Sequence, residues 1–222
     1  MTQLILFFSV LFGALIVYSL PIKESRIRIL LSFSGAYLLS VTVLHLFPEF
    51  YAESVPYQGV WILAGILTQS ILEFFSQGAE HGHIHNLKSQ KFPWLLFIGL
   101  SLHAFFEGVP VAHAEDESLL SAIVIHKIPI AMVLTSFLMH SKLSKTKAML
   151  FIVIFALMSP LGSYLSGHIT FFSNFKVQID GFIIGVFLHI STIILFESSQ
   201  NHRFNLIKFL SILLGFALAF WA

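Results

Sequence analysis

Long apolar runs separated by short polar links fill the chain. They fall at about 2–20, 29–48, 58–76, 93–112, 119–138, 148–167, 179–197 and 205–222, each near the roughly 20 residues that a helix needs to cross a bilayer. Lipid offers a backbone no hydrogen-bond partner, so spans of this length must be helices. The pattern predicts an all-α integral membrane protein with eight transmembrane helices in one bundle. The links leave no room for a soluble domain, so residues 1–222 are expected to form a single transmembrane domain.

Composition agrees. Hydrophobic residues make up 57% of the chain and charged residues 10%, whereas a soluble domain carries about 25% charged residues. The lipid bilayer is therefore the first partner. With 12 basic and 11 acidic residues, no nucleic acid is expected. The basic residues are unevenly placed. Lys23, Arg26 and Arg28, Lys88 and Lys91, Lys142, Lys145 and Lys147, and Arg203 with Lys208 fall in or beside alternate links. The positive-inside rule then puts both termini outside the cytoplasm. A multi-pass cell-membrane protein is expected, and the short links favour a bacterial inner membrane.

Cysteine is absent and histidine numbers 11. Thiolate metal sites are excluded, leaving His, Asp and Glu as the strong ligand types. Within the fourth run, His103 and Glu107 are four residues apart, so a helix puts them on one face. The fifth run contains His126 and Lys127. Ionisable groups at membrane depth are costly and usually functional. Two imidazoles and a carboxylate suit a zinc-like cation. A lone intramembrane histidine can also be a packing residue, but His103, Glu107, His126 and Lys127 call for one common explanation. The expected partner of Lys127 is Glu107.

Other polar positions carry weaker signals. His45 and Glu49 close the second run at i, i+4 spacing and read either as a solvated rim pair or as ligands at the mouth of a path. His81, His83 and His85 alternate in a link expected to be cytoplasmic, where spaced imidazoles hold metal weakly or form a plain polar loop. His189 in the seventh run is a pathway candidate, with hydrogen-bonded packing the alternative. Pro48, Pro110, Pro129 and Pro160 each remove a backbone donor and mark expected helix bends.

In order, these motifs resemble the ZIP family of divalent metal transporters. His103-Ala104-Phe105-Phe106-Glu107-Gly108 is similar to that family's His-Asn-x-x-Asp/Glu-Gly signature. His126-Lys127-Ile128-Pro129 resembles its His-Glu-x-Pro signature, and specifically a subgroup with His-Lys-x-Pro in the fifth span. His45-Leu46-Phe47-Pro48-Glu49 resembles the family's His-Leu-x-Pro-Glu ending, and the run from Gly185 through His189 resembles its Gly-x-Phe-Leu-Tyr run. The resemblance implies a primary metal site of His103, Glu107 and His126, with Tyr37 as a further contact. It also implies that a second site has been dismantled. There Ala104 stands for Asn, Lys127 for Glu and Ser159 for the Glu before Pro160, while the primary site has lost one donor at Ile130. The ammonium of Lys127 would then stand in for the second cation.

The resemblance implies zinc uptake into the cytoplasm through a single-metal site between spans four and five. Fe²⁺, Mn²⁺ and Cd²⁺ are alternative cargoes and no organic cofactor is expected. It also implies an elevator-like movement of a helix block and a homodimer. Two rivals stay open: an intramembrane zinc hydrolase, and a structural or sensory membrane protein stabilised by zinc. An enzyme is not expected, since His-Glu-x-x-His is absent.

Overall fold

The computed structural model describes residues 1–53, 55–76, 94–114, 117–141, 143–197 and 205–221. Every regular element among them is helical. Helix α1 (Thr2–Ser19) is followed by α2 (Glu24–Val41), which passes through a π-helical turn (Thr42–Leu46) into the short α3 (Phe47–Ala52). Then come α4 (Gly59–Ser76) and α5 (Trp94–Gly108), the latter continued by a 3-10 turn (Val109–Ala112). Helices α6 (Ser118–His140), α7 (Lys145–His168), α8 (Thr170–Asn174), α9 (Lys176–Glu197) and α10 (Leu206–Ala219) complete the order.

The expectation of eight transmembrane helices is corrected. Among the described residues, six helical segments are long and apolar enough to cross a membrane: Thr2–Ser19, Glu24–Ala52, Trp94–Ala112, Ser118–His140, Lys145–His168 and Lys176–Phe196. The runs at 58–76 and 205–222 do form helices, but their described apolar stretches are the shorter Gly59–Phe75 and Leu206–Ala219. Helix α10 begins only where the Asn205 side chain accepts from the Lys208 N–H, and it has 14 residues. At 1.5 Å per residue that is about 21 Å, against a hydrocarbon core of about 30 Å. Apolar composition revealed the helices, but it did not fix their lengths. With six such segments among the described residues, the alternation of links that placed both termini outside the cytoplasm no longer holds.

The outward faces are apolar. Leu4, Phe8, Phe12 and Leu15 of α1 and Leu206, Leu210 and Leu214 of α10 are exposed. A water-soluble surface rarely carries apolar patches of that extent, whereas lipid requires them. The bundle is a multi-pass membrane architecture.

Packing sorts the long helices into two groups. Helix α1 lies against α6 and α7, and α5 lies against α7; α4 lies against α9, while α2 lies against α9 and α10. The groups meet where α2 packs on α6 and α4 on α5. One close crossing within each group depends on glycine. A Cβ on Gly108 would stand 2.0 Å from the Ser159 carbonyl oxygen, and one on Gly162 would stand 2.2 Å from that of Phe105. Helices α5 and α7 thus touch backbone to backbone beside the polar cluster. Gly65 and Gly185 do the same for α4 and α9, meeting the carbonyls of Phe182 and Ile62.

The prolines fall at distinct places in the helices. Pro48 follows the π-helical turn, at the start of α3. Pro110 sits where α5 tightens into the 3-10 turn. Pro129 and Pro160 lie inside α6 and α7, which continue through them.

Candidate metal centre

Helices α5 and α6 bring three potential ligands together. His103 and Glu107 face the same way because they are one helical turn apart. Helix α6 contributes His126. The Glu107 Oε1 lies 3.1 Å from His103 Nε2 and 3.5 Å from His126 Nε2. One ligand atom from each residue lies within 4.8 Å of the others, and among the described residues this is the one such group of three. Donors around a tetrahedral zinc, with bonds of about 2.0–2.1 Å, stand about 3.3–3.4 Å apart. The two observed separations straddle that value. His103, Glu107 and His126 are 0%, 2% and 0% exposed, so the donor face is formed in the interior.

The second oxygen of Glu107 is already taken. Lys127 Nζ donates to Oε2 in a short contact. Lys127 is 1% exposed. A buried ammonium without a carboxylate would be strongly unfavourable. The expected Lys127–Glu107 pairing is therefore present. The two oxygens of one carboxylate have different tasks: one meets the ammonium, the other faces two imidazoles.

Neighbouring helices complete the surroundings. From α2, Ser34 Oγ lies 3.3 Å from His126 Nδ1, and its hydroxyl also reaches the Leu31 carbonyl at 3.0 Å. From α7, the Ser159 hydroxyl donates to the Ala104 carbonyl, next to His103. Ser159, expected as a pathway position, thus binds the α5 backbone. Tyr37, expected as a further metal contact, instead pairs its hydroxyl with Ser121 Oγ at 3.0 Å.

The remaining candidates lie elsewhere. His45 and Glu49 line one cavity of about 240 Å³ together with His113, Lys176 and Asp180. There Lys176 Nζ lies 2.7 Å from Asp180 Oδ2 and 3.9 Å from Glu49 Oε1. Pro110 and Ser118 also border the cavity, which places it beside the ends of α5 and α6. His189 is not brought to the three-ligand cluster. Its Nε2 lies 2.6 Å from Glu73 Oε2 and its Nδ1 3.2 Å from Ser70 Oγ, joining α9 to α4. His81, His83 and His85 lie outside the described residues.

The contact of Ser34 with His126 is not announced by the sequence. The run around Ser34 was recognisable as partly polar, but a serine inside an apolar helix usually bonds its own backbone and carries no signal of its own. Only the crossing of α2 over α6 reveals its contact with His126.

Comparison with known proteins follows the same lines. The family described as ZIP Zinc transporter matches residues 76–221. The Dictyostelium discoideum protein zntD is 31% identical over 165 residues, which is 64% of this chain and 24% of that protein. A Danio rerio protein named zinc transporter ZIP1 is 29% identical over 157 residues, covering 64% of this chain and 51% of its own. A Xenopus laevis protein named zinc transporter ZIP9-B is 38% identical over 76 residues, 31% of this chain and 25% of its own. The chain thus spans about half or less of the length of these curated relatives.

Proposed function

Because the chain belongs to the ZIP zinc transporter family, we propose that it carries divalent metal cations across a membrane, with zinc as the foremost cargo and the cytoplasm as destination. The observation that carries this reading is the buried donor face of His103, Glu107 and His126 between α5 and α6. Imidazole with carboxylate suits Zn²⁺, Fe²⁺, Mn²⁺ and Cd²⁺ far better than Ca²⁺ or Mg²⁺.

The cation would be held by three protein donors, leaving a fourth position for water. A closed four-ligand site would hold it too tightly for transport. Lys127 acts in the same direction. It already matches the charge of Glu107, so an arriving divalent ion brings positive charge into a site that is not waiting to be neutralised. In this reading Lys127 stands where a second cation would otherwise sit, and the site holds one metal. The sequence His126-Lys127-Ile128-Pro129 accordingly marks the chain's subgroup within the family.

His45 and Glu49 would receive the ion in the cavity near the ends of α5 and α6. His81, His83 and His85 would meet it in the link that carries them. Helices α1, α5, α6 and α7 pack on one another and carry all three ligands, which fits a helix block moving against α2, α4, α9 and α10. The single transmembrane domain, a homodimeric assembly and a bacterial inner membrane belong to the same proposal. A hydrolase is disfavoured, because the family is one of transporters.

The test is ⁶⁵Zn²⁺ uptake by proteoliposomes holding the wild type, and the double variant His103→Ala/His126→Ala. Saturable wild-type flux that the folded double variant lacks supports the reading. Folded wild-type protein that moves neither zinc nor any other divalent ion overturns it.

A further inference from the structure

We infer that Ser34 is a positioning residue that sets which ring nitrogen of His126 faces the cation. The geometry is specific. Ser34 and His126 are both fully buried. Ser34 Oγ is 3.0 Å from the Leu31 carbonyl oxygen, which can only accept, and 3.3 Å from His126 Nδ1. A hydroxyl has one hydrogen and two lone pairs. Its hydrogen goes to Leu31, the shorter contact, so its lone pair accepts a hydrogen from His126 Nδ1. A neutral imidazole carries one N–H. With that hydrogen on Nδ1, Nε2 is the ring nitrogen that carries a ligating lone pair, on the side where Glu107 Oε1 lies at 3.5 Å.

The alternative tautomer is unsuitable for the same reason. With hydrogen on Nε2, His126 would donate to Glu107 Oε1 and occupy the very oxygen and nitrogen that a cation needs. Ser34 opposes this by giving Nδ1–H an acceptor. Partners of this kind fix ring orientation and raise ligand basicity in metal sites generally, and their loss costs about 10–100-fold in metal affinity. Ser34 comes from α2, a helix that supplies none of the three ligands and packs also on α9 and α10. The ligand field on α5 and α6 is therefore completed by a contact from the other helix group. Relative sliding of α2 and α6 would remove the acceptor and weaken the site.

The role presupposes that the three-ligand cluster binds zinc, and the experiment separates the two claims. Zinc affinity is measured on purified full-length protein by competition with a chelator, for wild type, Ser34→Ala, Ser34→Thr and Ser40→Ala. The tautomer of His126 is read from ring ¹⁵N shifts without metal. Ser40 lies in the same helix and bonds its own backbone at Ala36, so Ser40→Ala controls for loss of a helix serine. Expected are an Nδ1–H tautomer in wild type, a shift toward Nε2–H in Ser34→Ala, and zinc affinity reduced about 10–100-fold. Ser34→Thr should restore affinity and Ser40→Ala should keep it. A wild-type ring protonated at Nε2, or a Ser34→Ala protein binding zinc as tightly as wild type, overturns the role of Ser34. Absence of zinc binding by wild type overturns the transport reading instead, while the ring tautomer still decides for or against Ser34.

Discussion

Lys127 holds one oxygen of Glu107 and leaves the other to His103 and His126. The division makes one carboxylate both a structural counter-ion and a potential ligand. The ammonium cannot leave without exposing a buried charge, and it cannot itself ligate. What the site can gain is a cation on the Oε1 side.

Replacing Lys127 tests this division. Lys127→Met is expected to destabilise the protein by about 3–5 kcal/mol, since it strands a buried carboxylate. Zinc should then recover more stability in the variant than in wild type, because the metal becomes the only counter-charge. The check is thermal unfolding in detergent with and without zinc. A zinc-induced shift no larger than that of wild type would contradict it.

The crossing of α5 and α7 gives a second expectation. Gly108→Ala and Gly162→Ala each drive a methyl group to within 2.0–2.2 Å of a backbone carbonyl oxygen. Backbone cannot move aside as a side chain can, so both variants should lose folded yield and melt well below wild type. Gly167→Ala is the control, because its Cβ would meet only Ala112 Cβ at an ordinary 3.5 Å. It should remain within about 0.5 kcal/mol of wild type.

Tyr37 gives a third. Tyr37→Phe removes a hydroxyl bonded to Ser121 and is expected to cost about 1 kcal/mol of stability. Zinc affinity should be unchanged. A large loss of zinc binding in Tyr37→Phe would make the tyrosine a ligand after all.

His189 gives a fourth. Its ring joins Glu73 and Ser70 across α4 and α9, away from His103, Glu107 and His126. His189→Asn should lower the melting temperature while leaving equilibrium zinc binding intact. Loss of zinc binding without loss of stability would place His189 in the metal site.

The metal-site candidates were the most legible part of the sequence. An imidazole and a carboxylate one turn apart inside an apolar run, with a second imidazole and a lysine in the next run, have few bland explanations. The structure joins all four. Helix positions were legible from hydropathy as well, but not helix lengths. The Asn205 cap decides where α10 begins and leaves that helix 14 residues, too short to count as a span. Ser34, Tyr37 and His189 show the other limit. Each sits in a run whose polarity was visible, yet its partner lies 84–119 residues away in the chain. Spacing along one helix cannot specify such a pairing.

The most direct test of the central claim is equilibrium zinc binding to purified wild-type protein, set against Glu107→Gln and His126→Ala. The expected result is one saturable site per chain in wild type, lost in both variants while each remains folded. Zinc bound equally by all three proteins, or two equivalent zinc ions per wild-type chain, would contradict a single cation site formed by His103, Glu107 and His126.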